Sequence, residues 1–193
     1  MSTRLLAPNA VRAAHRVVQE TVRPGATVLD ATCGNGHDTV FLARLVGPGG
    51  VVHAIDVQPE AVAITRARLE REGLAQRVRL YQADHRRVRE LVPDPLQAAM
   101  FNLGYRPRGD KCVVTRADST LEALEGVLAL LAPGGVVTLV GYLGHHGGRE
   151  EWEALCAHAA GLDQRVFQVL QVGWINQVNQ PPQLMIVQKL GVK

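Results

Sequence analysis

Cysteine, lysine and aromatic residues are scarce in this chain. Its 193 residues include 3 cysteines, and only 4% of the residues are aromatic. Cys33, Cys112 and Cys156 are odd in number and far apart, and none belongs to a C-x-x-C pair. The sequence therefore predicts neither a disulfide framework nor a zinc site, and we expect a reducing, cytoplasmic setting with no bound metal.

Long apolar runs are also absent. No run approaches the roughly 20 residues that a membrane-spanning helix needs. Near the start of the chain, Arg4, Pro8 and Asn9 interrupt the apolar residues. We therefore expect neither a membrane span nor a secretory signal, and no membrane partner.

The positive charge is small but unevenly distributed. The formal net charge is +3, yet 18 of the 21 basic residues are arginine, and eight of these lie between Arg66 and Arg89. Arginine binds phosphate through two hydrogen bonds and stacks on bases, so a basic stripe favours a nucleic-acid substrate. Glu70 and Glu72 interrupt this stripe, however, and a solvated helix face explains the same pattern.

Short apolar segments alternate with longer amphipathic ones, which is typical of an α/β fold whose mostly parallel sheet is covered by helices on both faces. We expect one domain over residues 1–193, in which residues 1–22 form a helix that covers the sheet. Thr115 and Asp118 are expected to cap the helix that follows them. The predicted helices are 9–21, 38–45, 60–71, 116–131 and 149–160. The predicted strands are 27–30, 51–56, 78–82, 98–102, 136–141, 166–172 and 184–189. Because no helix joins the last two strands, they should pair as an antiparallel hairpin.

A glycine-bearing loop follows the first predicted strand. Residues 28–39 run from a buried strand through Gly34 and Gly36 into a helix, and such a loop lets a nucleotide approach the backbone closely. Asp56 ends the next strand, 20 residues after Gly36, where a carboxylate can accept both hydroxyls of a ribose. Together these features predict a dinucleotide or adenosyl site.

Two residues of this segment distinguish the possible cofactors. Thr39 stands where a dinucleotide fold would carry its third glycine, and Asp30 would repel a pyrophosphate but can hold an ammonium. S-adenosylmethionine carries an ammonium and no phosphate. The pattern therefore resembles the class I S-adenosylmethionine-dependent methyltransferases, which implies a Rossmann-like sheet of seven strands with an antiparallel last strand.

The cofactor site implied by this resemblance extends beyond the first loop. In such enzymes an acidic or polar residue after the third strand lies near the adenine amino group, and Asp84 is the candidate here. A cap for residues 86–91 is the alternative role for Asp84. The predicted cofactor-binding residues are Asp30, Ala31, Thr32, Gly34, Asn35, Gly36, His37, Asp38, Thr39, Asp56, Val57, Gln58, Asp84, His85, Asn102, Leu103 and Gly104.

The segment Asn102-Leu103-Gly104-Tyr105 follows the fourth predicted strand and looks like a relative of N-P-P-Y. In amino-methylating enzymes a side-chain amide and a backbone carbonyl accept hydrogen bonds from the target nitrogen. The similarity implies these two roles for Asn102 and Leu103. Tyr105 would stack on a base or face the cationic methyl group. The alternative is a strand-end turn with Tyr105 packed inward.

Four motifs together resemble one family, the putative rRNA methylases. They are D-A-T-x-G-N-G-H-D-T from Asp30, N-L-G-Y from Asn102, G-D-K from Gly109 and Y-x-G-H-x-G-G-x-E-E from Tyr142. The resemblance implies a tRNA methyltransferase that converts 5-aminomethyl-2-thiouridine at the wobble position into 5-methylaminomethyl-2-thiouridine, releasing S-adenosylhomocysteine. Arg106 and Arg108 depart from the family pattern, and we interpret them as additional phosphate contacts.

The expected catalytic residues are Asn102, Tyr105, His145 and Asp38. A protonated amine has no lone pair, so the target must lose a proton before transfer, and His145 or Asp38 could accept the proton or orient the amine. Alternatively, His145 only bonds its own loop or an RNA phosphate, and Asp38 only caps a helix.

The expected partner is the anticodon stem-loop of tRNA, whose unpaired bases can be flipped and stacked. The predicted substrate-binding residues are Tyr105, Arg106, Arg108, Asp110, Lys111 and Trp174. An exposed Trp174 could equally fill a contact within a homodimer. Two other functions stay open: an rRNA or small-molecule methyltransferase with the same cofactor site, and a nucleotide-binding oxidoreductase or non-catalytic adenosyl-binding module.

Overall fold

One seven-stranded sheet forms the centre of the fold. The computed structural model describes residues 9–93, 95–104, 115–144 and 147–191. The strands are β1 Thr27–Asp30, β2 Val51–Asp56, β3 Val78–Gln82, β4 Leu96–Leu103, β5 Leu131–Gly141, β6 Phe167–Val172 and β7 Gln183–Lys189. Their order across the sheet is β3-β2-β1-β4-β5-β7-β6. Only β7 runs against its neighbours, pairing antiparallel with both β5 and β6.

Helices cover both faces of this sheet. They are α1 Ala10–Thr21, α2 His37–Val46, α3 Pro59–Arg71, α4 Val88–Leu91, α5 Ala117–Leu130 and α6 Gly148–Ala160. The first three pack on one face with Val28, Val52 and Met100. The last three pack on the other face with Leu29 and Phe101. Neighbouring strand residues thus contribute to opposite core layers, as the two-residue period of a strand requires.

The α/β fold predicted from the sequence is confirmed, including the antiparallel pairing of the last two strands. The bounds of β1, β2 and β3 coincide with the prediction. β4 and β5 begin earlier than predicted, at Leu96 and Leu131, where the two strands first pair with each other. Within the residues described, no helix is long and apolar enough to cross a membrane.

The predicted cap of α5 is wrong. Arg116 occupies the cap position without a side-chain hydrogen bond to the helix, and the Asp118 carboxylate accepts from the N–H of Ser119. The Thr115 hydroxyl instead donates to the Glu151 carboxylate of α6 at 2.7 Å. Since Glu151 is 36 positions away, the local sequence pattern did not reveal this partner.

The carboxyl ends of the parallel strands bring the predicted motifs together. Asp30 ends β1 and Asp56 ends β2, while Asn102 is the penultimate residue of β4. Clefts of open α/β sheets form at this edge, where strand order reverses around the first strand. In this sheet β2 and β4 flank β1 on opposite sides, so the edge above β1 is that position.

Candidate active site

A cleft of about 1130 Å³ opens at the carboxyl ends of β1, β2 and β4. Most of the predicted cofactor-binding residues line it: Ala31, Thr32, Gly34, Asn35, His37, Asp38, Asp56, Val57, Gln58, Asp84, His85, Asn102, Leu103 and Gly104. Asp30, Gly36 and Thr39 are buried behind this lining. Most of the residues predicted from the sequence therefore line the cleft, and the other three are buried beneath its surface.

The first loop is shaped by two glycines with left-handed backbone. Gly34 has φ +50° and Gly36 has φ +77°. A Cβ on Gly36 would lie 2.9 Å from the Thr65 hydroxyl of α3, and that hydroxyl donates to the Gly34 carbonyl at 3.1 Å. The loop therefore packs directly on α3, and a side chain at Gly36 would separate the two.

Asp30 supports the loop from below. It is 1% exposed, and its carboxylate accepts from the Thr39 hydroxyl at 2.6 Å and the Thr32 N–H at 3.3 Å. Burial, reinforced by the charge of Asp38, raises the pKa of Asp30 to about 7. In this structure both carboxylate oxygens accept hydrogen bonds from protein groups, Thr32 and Thr39. Direct contact between Asp30 and a cofactor ammonium stays a prediction.

Asp56 faces the cleft with both carboxylate oxygens fixed in place. The N–H of Gly34 donates to one oxygen at 2.9 Å, and the N–H of Gln58 donates to the other at 3.0 Å. Each oxygen has a second lone pair for another donor. The two vicinal hydroxyls of a ribose match such a pair of acceptors, so the residues present fit an adenosyl cofactor.

Asp84 caps the short helical turn that follows β3. Its carboxylate accepts from the backbone N–H of Arg86 at 2.9 Å and from the guanidinium of the same residue. Partial burial opposes ionisation, but these bonds outweigh it, and the pKa of Asp84 lies below its ordinary value. The capping role is thus present, while contact with an adenine stays a prediction. Burial lowers the pKa of the neighbouring His85.

Asn102 is held at the floor of the cleft by two hydrogen bonds to protein groups. Its backbone N–H donates to the Thr32 hydroxyl at 2.8 Å, and its side-chain Nδ2 donates to the Asp38 carboxylate. The other side-chain atom, Oδ1, is buried without a hydrogen-bond partner among the residues described. A buried acceptor without a partner is costly, so a donor from a bound molecule would be stabilising there.

Asp38 connects the cleft to the first helix. Its second carboxylate oxygen lies 2.6 Å from Nε2 of His15 in α1, and the His15 ring stacks on Phe41 with centroids 4.0 Å apart. Sequence reasoning missed His15. His15 lies one helical turn after Val11, which lines the cleft, and no local sequence pattern marks it as part of the site.

Other residues line the cleft although the sequence analysis gave them no role there. Tyr142 follows β5, and partial burial together with the Asp38 charge raises its pKa. Gln180 comes from the loop between β6 and β7, and Arg116 and Ser119 come from the start of α5. These residues enlarge the predicted site.

Trp174 is not part of the cleft lining. The sequence prediction of an exposed indole is wrong, because Trp174 is half-buried against the core layer that contains α1. The other predicted substrate-binding residues and two of the predicted catalytic residues, Tyr105 and His145, lie outside the described residues. The full set is Tyr105, Arg106, Arg108, Asp110, Lys111 and His145. No cluster of three or more metal-ligating side chains occurs in the described ranges.

Comparison with known proteins places this cleft in a recognisable context. The sequence model of a family described as putative rRNA methylase matches residues 52–188. A second model, for protein-L-isoaspartate O-methyltransferases, matches residues 3–91. A chloroplastic tRNA (mnm5s2U34)-methyltransferase from Arabidopsis thaliana is 41% identical over 163 residues, which cover 79% of this chain and 60% of that protein. The chain thus spans less than two thirds of this relative.

Solved structures resemble the whole fold. The crystal structure of a putative rRNA methylase from Clostridium thermocellum superposes with a TM-score of 0.94 at 40% identity, covering 96% of this chain and 100% of the other. A putative methyltransferase from Streptococcus mutans, solved in complex with S-adenosylhomocysteine, gives a TM-score of 0.88 at 34% identity with the same coverage.

Proposed function

Since the chain belongs to the putative rRNA methylase family of class I S-adenosylmethionine-dependent methyltransferases, we propose that it methylates the aminomethyl nitrogen of 5-aminomethyl-2-thiouridine at the wobble position of tRNA. The name of the Arabidopsis relative supports a tRNA wobble uridine as substrate. An amine as the target is supported by the hydrogen-bond acceptor at the cleft floor, the Oδ1 of Asn102, because an acceptor binds N–H groups. The proposed site of action is the cytoplasm, which fits the scarcity of cysteine.

The observation that carries this proposal is the side-chain amide of Asn102. Its Nδ2 is committed to Asp38, so Oδ1 is the atom left to interact with a bound molecule. An acceptor oxygen binds an N–H of an amine and leaves the lone pair of the amine directed elsewhere. The Leu103 carbonyl, which accepts from the Tyr142 N–H at 3.4 Å, has a second lone pair for another N–H of the target.

The cofactor would lie between the first loop and Asp56. S-adenosylmethionine supplies a methyl group that is activated for displacement by its attachment to a sulfonium. Asp56 would accept the ribose hydroxyls, and the glycine loop would allow close approach of the backbone. Transfer to the amine needs an in-line arrangement of nucleophile, methyl carbon and sulfur, so positioning by Asn102 supplies much of the rate.

The target amine must arrive without its extra proton. A cationic sulfonium nearby disfavours a second positive charge and so favours the neutral amine. The Asp38 carboxylate lines the cleft beside Asn102 and could accept an N–H or a proton from the target. Tyr105 and His145 keep the roles in stacking and proton transfer that the sequence resemblance implies.

The test is transfer of a labelled methyl group from S-adenosylmethionine to tRNA that lacks the final modification, followed by digestion and mass spectrometry of the nucleosides. We expect 5-methylaminomethyl-2-thiouridine with the unmodified chain and at least about a hundredfold less with Asn102→Ala. Gln164→Ala is the matched control, because Gln164 is an exposed amide before β6 that does not line the cleft.

The alternatives predict different results in the same assay. If S-adenosylhomocysteine binds but tRNA is not labelled, the substrate is an rRNA or a small amine instead. If a nicotinamide dinucleotide binds and S-adenosylhomocysteine does not, the site is that of an oxidoreductase or of a binding module. Product that persists in Asn102→Ala would remove the proposed role of this side chain.

A further inference from the structure

Three side chains form a hydrogen-bonded line from helix α1 to the floor of the cleft. His15 contacts one oxygen of the Asp38 carboxylate at 2.6 Å, and Asn102 donates from Nδ2 to the other oxygen. Asp38 is only 8% exposed, so these two partners replace water around its charge. Because a carboxylate only accepts, Nε2 of His15 must carry a hydrogen for this contact to form.

The direction of the Asn102 amide decides what the cleft floor recognises. With Oδ1 toward the bound molecule the floor is an acceptor that binds N–H groups; with Nδ2 toward it, the floor would instead bind carbonyls and carboxylates. The two orientations differ by a rotation of the amide that changes its shape very little. Only a fixed partner on one side selects between them, and the Asp38 carboxylate is an acceptor that binds Nδ2 alone.

Asp38 in turn needs its own support. It lies close enough to the buried Asp30 carboxylate to raise the pKa of that group. A donor on the outer oxygen stabilises the ionised form and fixes the carboxylate plane. His15 supplies that donor, and its stacking on Phe41 with an interplanar angle of 3° restricts the ring to one orientation.

We propose that His15 is a positioning residue for methyl transfer, which acts through Asp38 to keep the Oδ1 of Asn102 directed at the amine of the substrate. This rests on the proposed function, since it assumes that Asn102 binds the target nitrogen. His15 does not touch the substrate in this proposal. The pair His15–Asp38 would thereby make the site specific for a hydrogen-bond donor rather than for an acceptor.

The first test observes the Asn102 amide itself and needs no substrate. Nitrogen-15 NMR of the chain bound to S-adenosylhomocysteine should show an Asn102 Nδ2 proton shifted downfield and protected from exchange, assigned by its loss in Asn102→Ala. In His15→Phe, which keeps a ring to stack on Phe41, we expect exchange of this proton to become at least about tenfold faster. In His15→Gln, which keeps a donor, protection should stay within about threefold of the unmodified chain.

The second test measures turnover on the tRNA substrate. His15→Phe should lower kcat at least about tenfold, while KM for tRNA and the Kd for S-adenosylhomocysteine change less than about threefold. His15→Gln should restore most of the kcat. Gln19→Ala, at an exposed position one turn further along α1, is the control for general effects on this helix.

The results separate this proposal from the proposed function. Unchanged protection of the Asn102 amide in His15→Phe would overturn the role of His15, whatever the substrate is. Equal losses of kcat in His15→Phe and His15→Gln would overturn it too, because the donor that glutamine retains would then not restore the activity. Absence of any product with the unmodified chain would instead reject the tRNA substrate, and the NMR result would still decide whether His15 positions the amide.

Discussion

At the residue scale, we assign cofactor binding to Asp56 and positioning of the target amine for methyl transfer to Asn102. Asp56→Ala removes a charged acceptor for two ribose hydroxyls, and a hydrogen bond to a charged group contributes about 1.5 to 3 kcal/mol. We therefore expect calorimetry to show roughly tenfold to hundredfold weaker binding of S-adenosylhomocysteine. Asn102→Ala should keep the affinity of the unmodified chain, since its acceptor faces the target amine.

The control for this pair is Asp163→Ala. Asp163 forms its hydrogen bonds with Arg165 near the start of β6, outside the cleft lining, so the change removes a carboxylate without touching the site. Loss of cofactor affinity in Asn102→Ala together with its retention in Asp56→Ala would show that the two roles are assigned the wrong way round.

Asp30 should give the chain an unusual dependence of stability on pH. Its pKa is raised from 3.8 to about 7 in the folded state, so between these values the folded chain keeps a proton that the unfolded chain has released. The contribution is therefore complete below about pH 4 and is lost as the pH rises through about 7. A shift of this size changes the free energy of unfolding between low and high pH by an amount on the order of 4 kcal/mol.

The measurement is urea denaturation of the unmodified chain and of Asp30→Asn at pH 4.5 and pH 8. The asparagine cannot titrate, although its oxygen can still accept from the Thr39 hydroxyl. The difference in the free energy of unfolding between the two chains should therefore move in favour of Asp30→Asn as the pH rises. A difference that is the same at both pH values would mean that Asp30 is ionised throughout.

At the scale of elements, the packing of the first loop on α3 depends on Gly36. Gly36→Ala places a Cβ 2.9 to 3.1 Å from Thr65 atoms at a φ of +77°, so it adds a steric conflict to the strain of a left-handed alanine. The strain alone is about 1 to 2 kcal/mol. Gly73→Ala is the matched control, because Gly73 has φ +66° and open space around its Cβ position.

We expect Gly36→Ala to lower the free energy of unfolding by clearly more than Gly73→Ala, with urea denaturation as the measurement. The excess reports the contact with Thr65, since both changes share the cost of left-handed backbone. It should be accompanied by weaker binding of S-adenosylhomocysteine in Gly36→Ala only. Equal costs for the two variants would mean that α3 moves aside freely and that the loop does not need it.

How much of each element the sequence could predict depends on whether its determinants are local. The sequence pattern predicted the bounds of β1 to β3 correctly, because these short strands are set by local residues: β1 and β2 are mostly buried runs, and β3 combines partly buried with exposed residues. The start of β5 at Leu131 was missed, since it depends on pairing with Leu96 of β4. The cap of α5 was wrong for the same reason: the Thr115 hydroxyl has a better acceptor in Glu151, which is distant in the sequence.

At the scale of the whole molecule, the same distinction applies to the site. The glycine loop, Asp56 and Asn102 could be found because each follows a strand, and parallel strands bring their carboxyl ends together. His15 could not, because it lies on α1 and contacts the site only through Asp38. Tyr142 begins the fourth motif, but no role in the cleft was assigned to it. Trp174 was expected to be exposed because its loop is polar, yet the indole packs on the core.

The cleft joins the carboxyl ends of three strands, so a ligand bound there should stabilise the whole chain. A ligand at 100 times its Kd that binds only the folded state adds about 2.7 kcal/mol to the free energy of unfolding. For a chain of this size that corresponds to a rise in Tm of roughly 5 to 10 °C. S-adenosylhomocysteine should produce this rise in a thermal unfolding experiment, and the rise should be much smaller in Asp56→Ala at the same ligand concentration. A nicotinamide dinucleotide should produce none, because the Asp38 carboxylate lines the cleft beside the first loop and would repel its pyrophosphate. A rise with the dinucleotide equal to that with S-adenosylhomocysteine would show that this carboxylate does not select the ligand by charge.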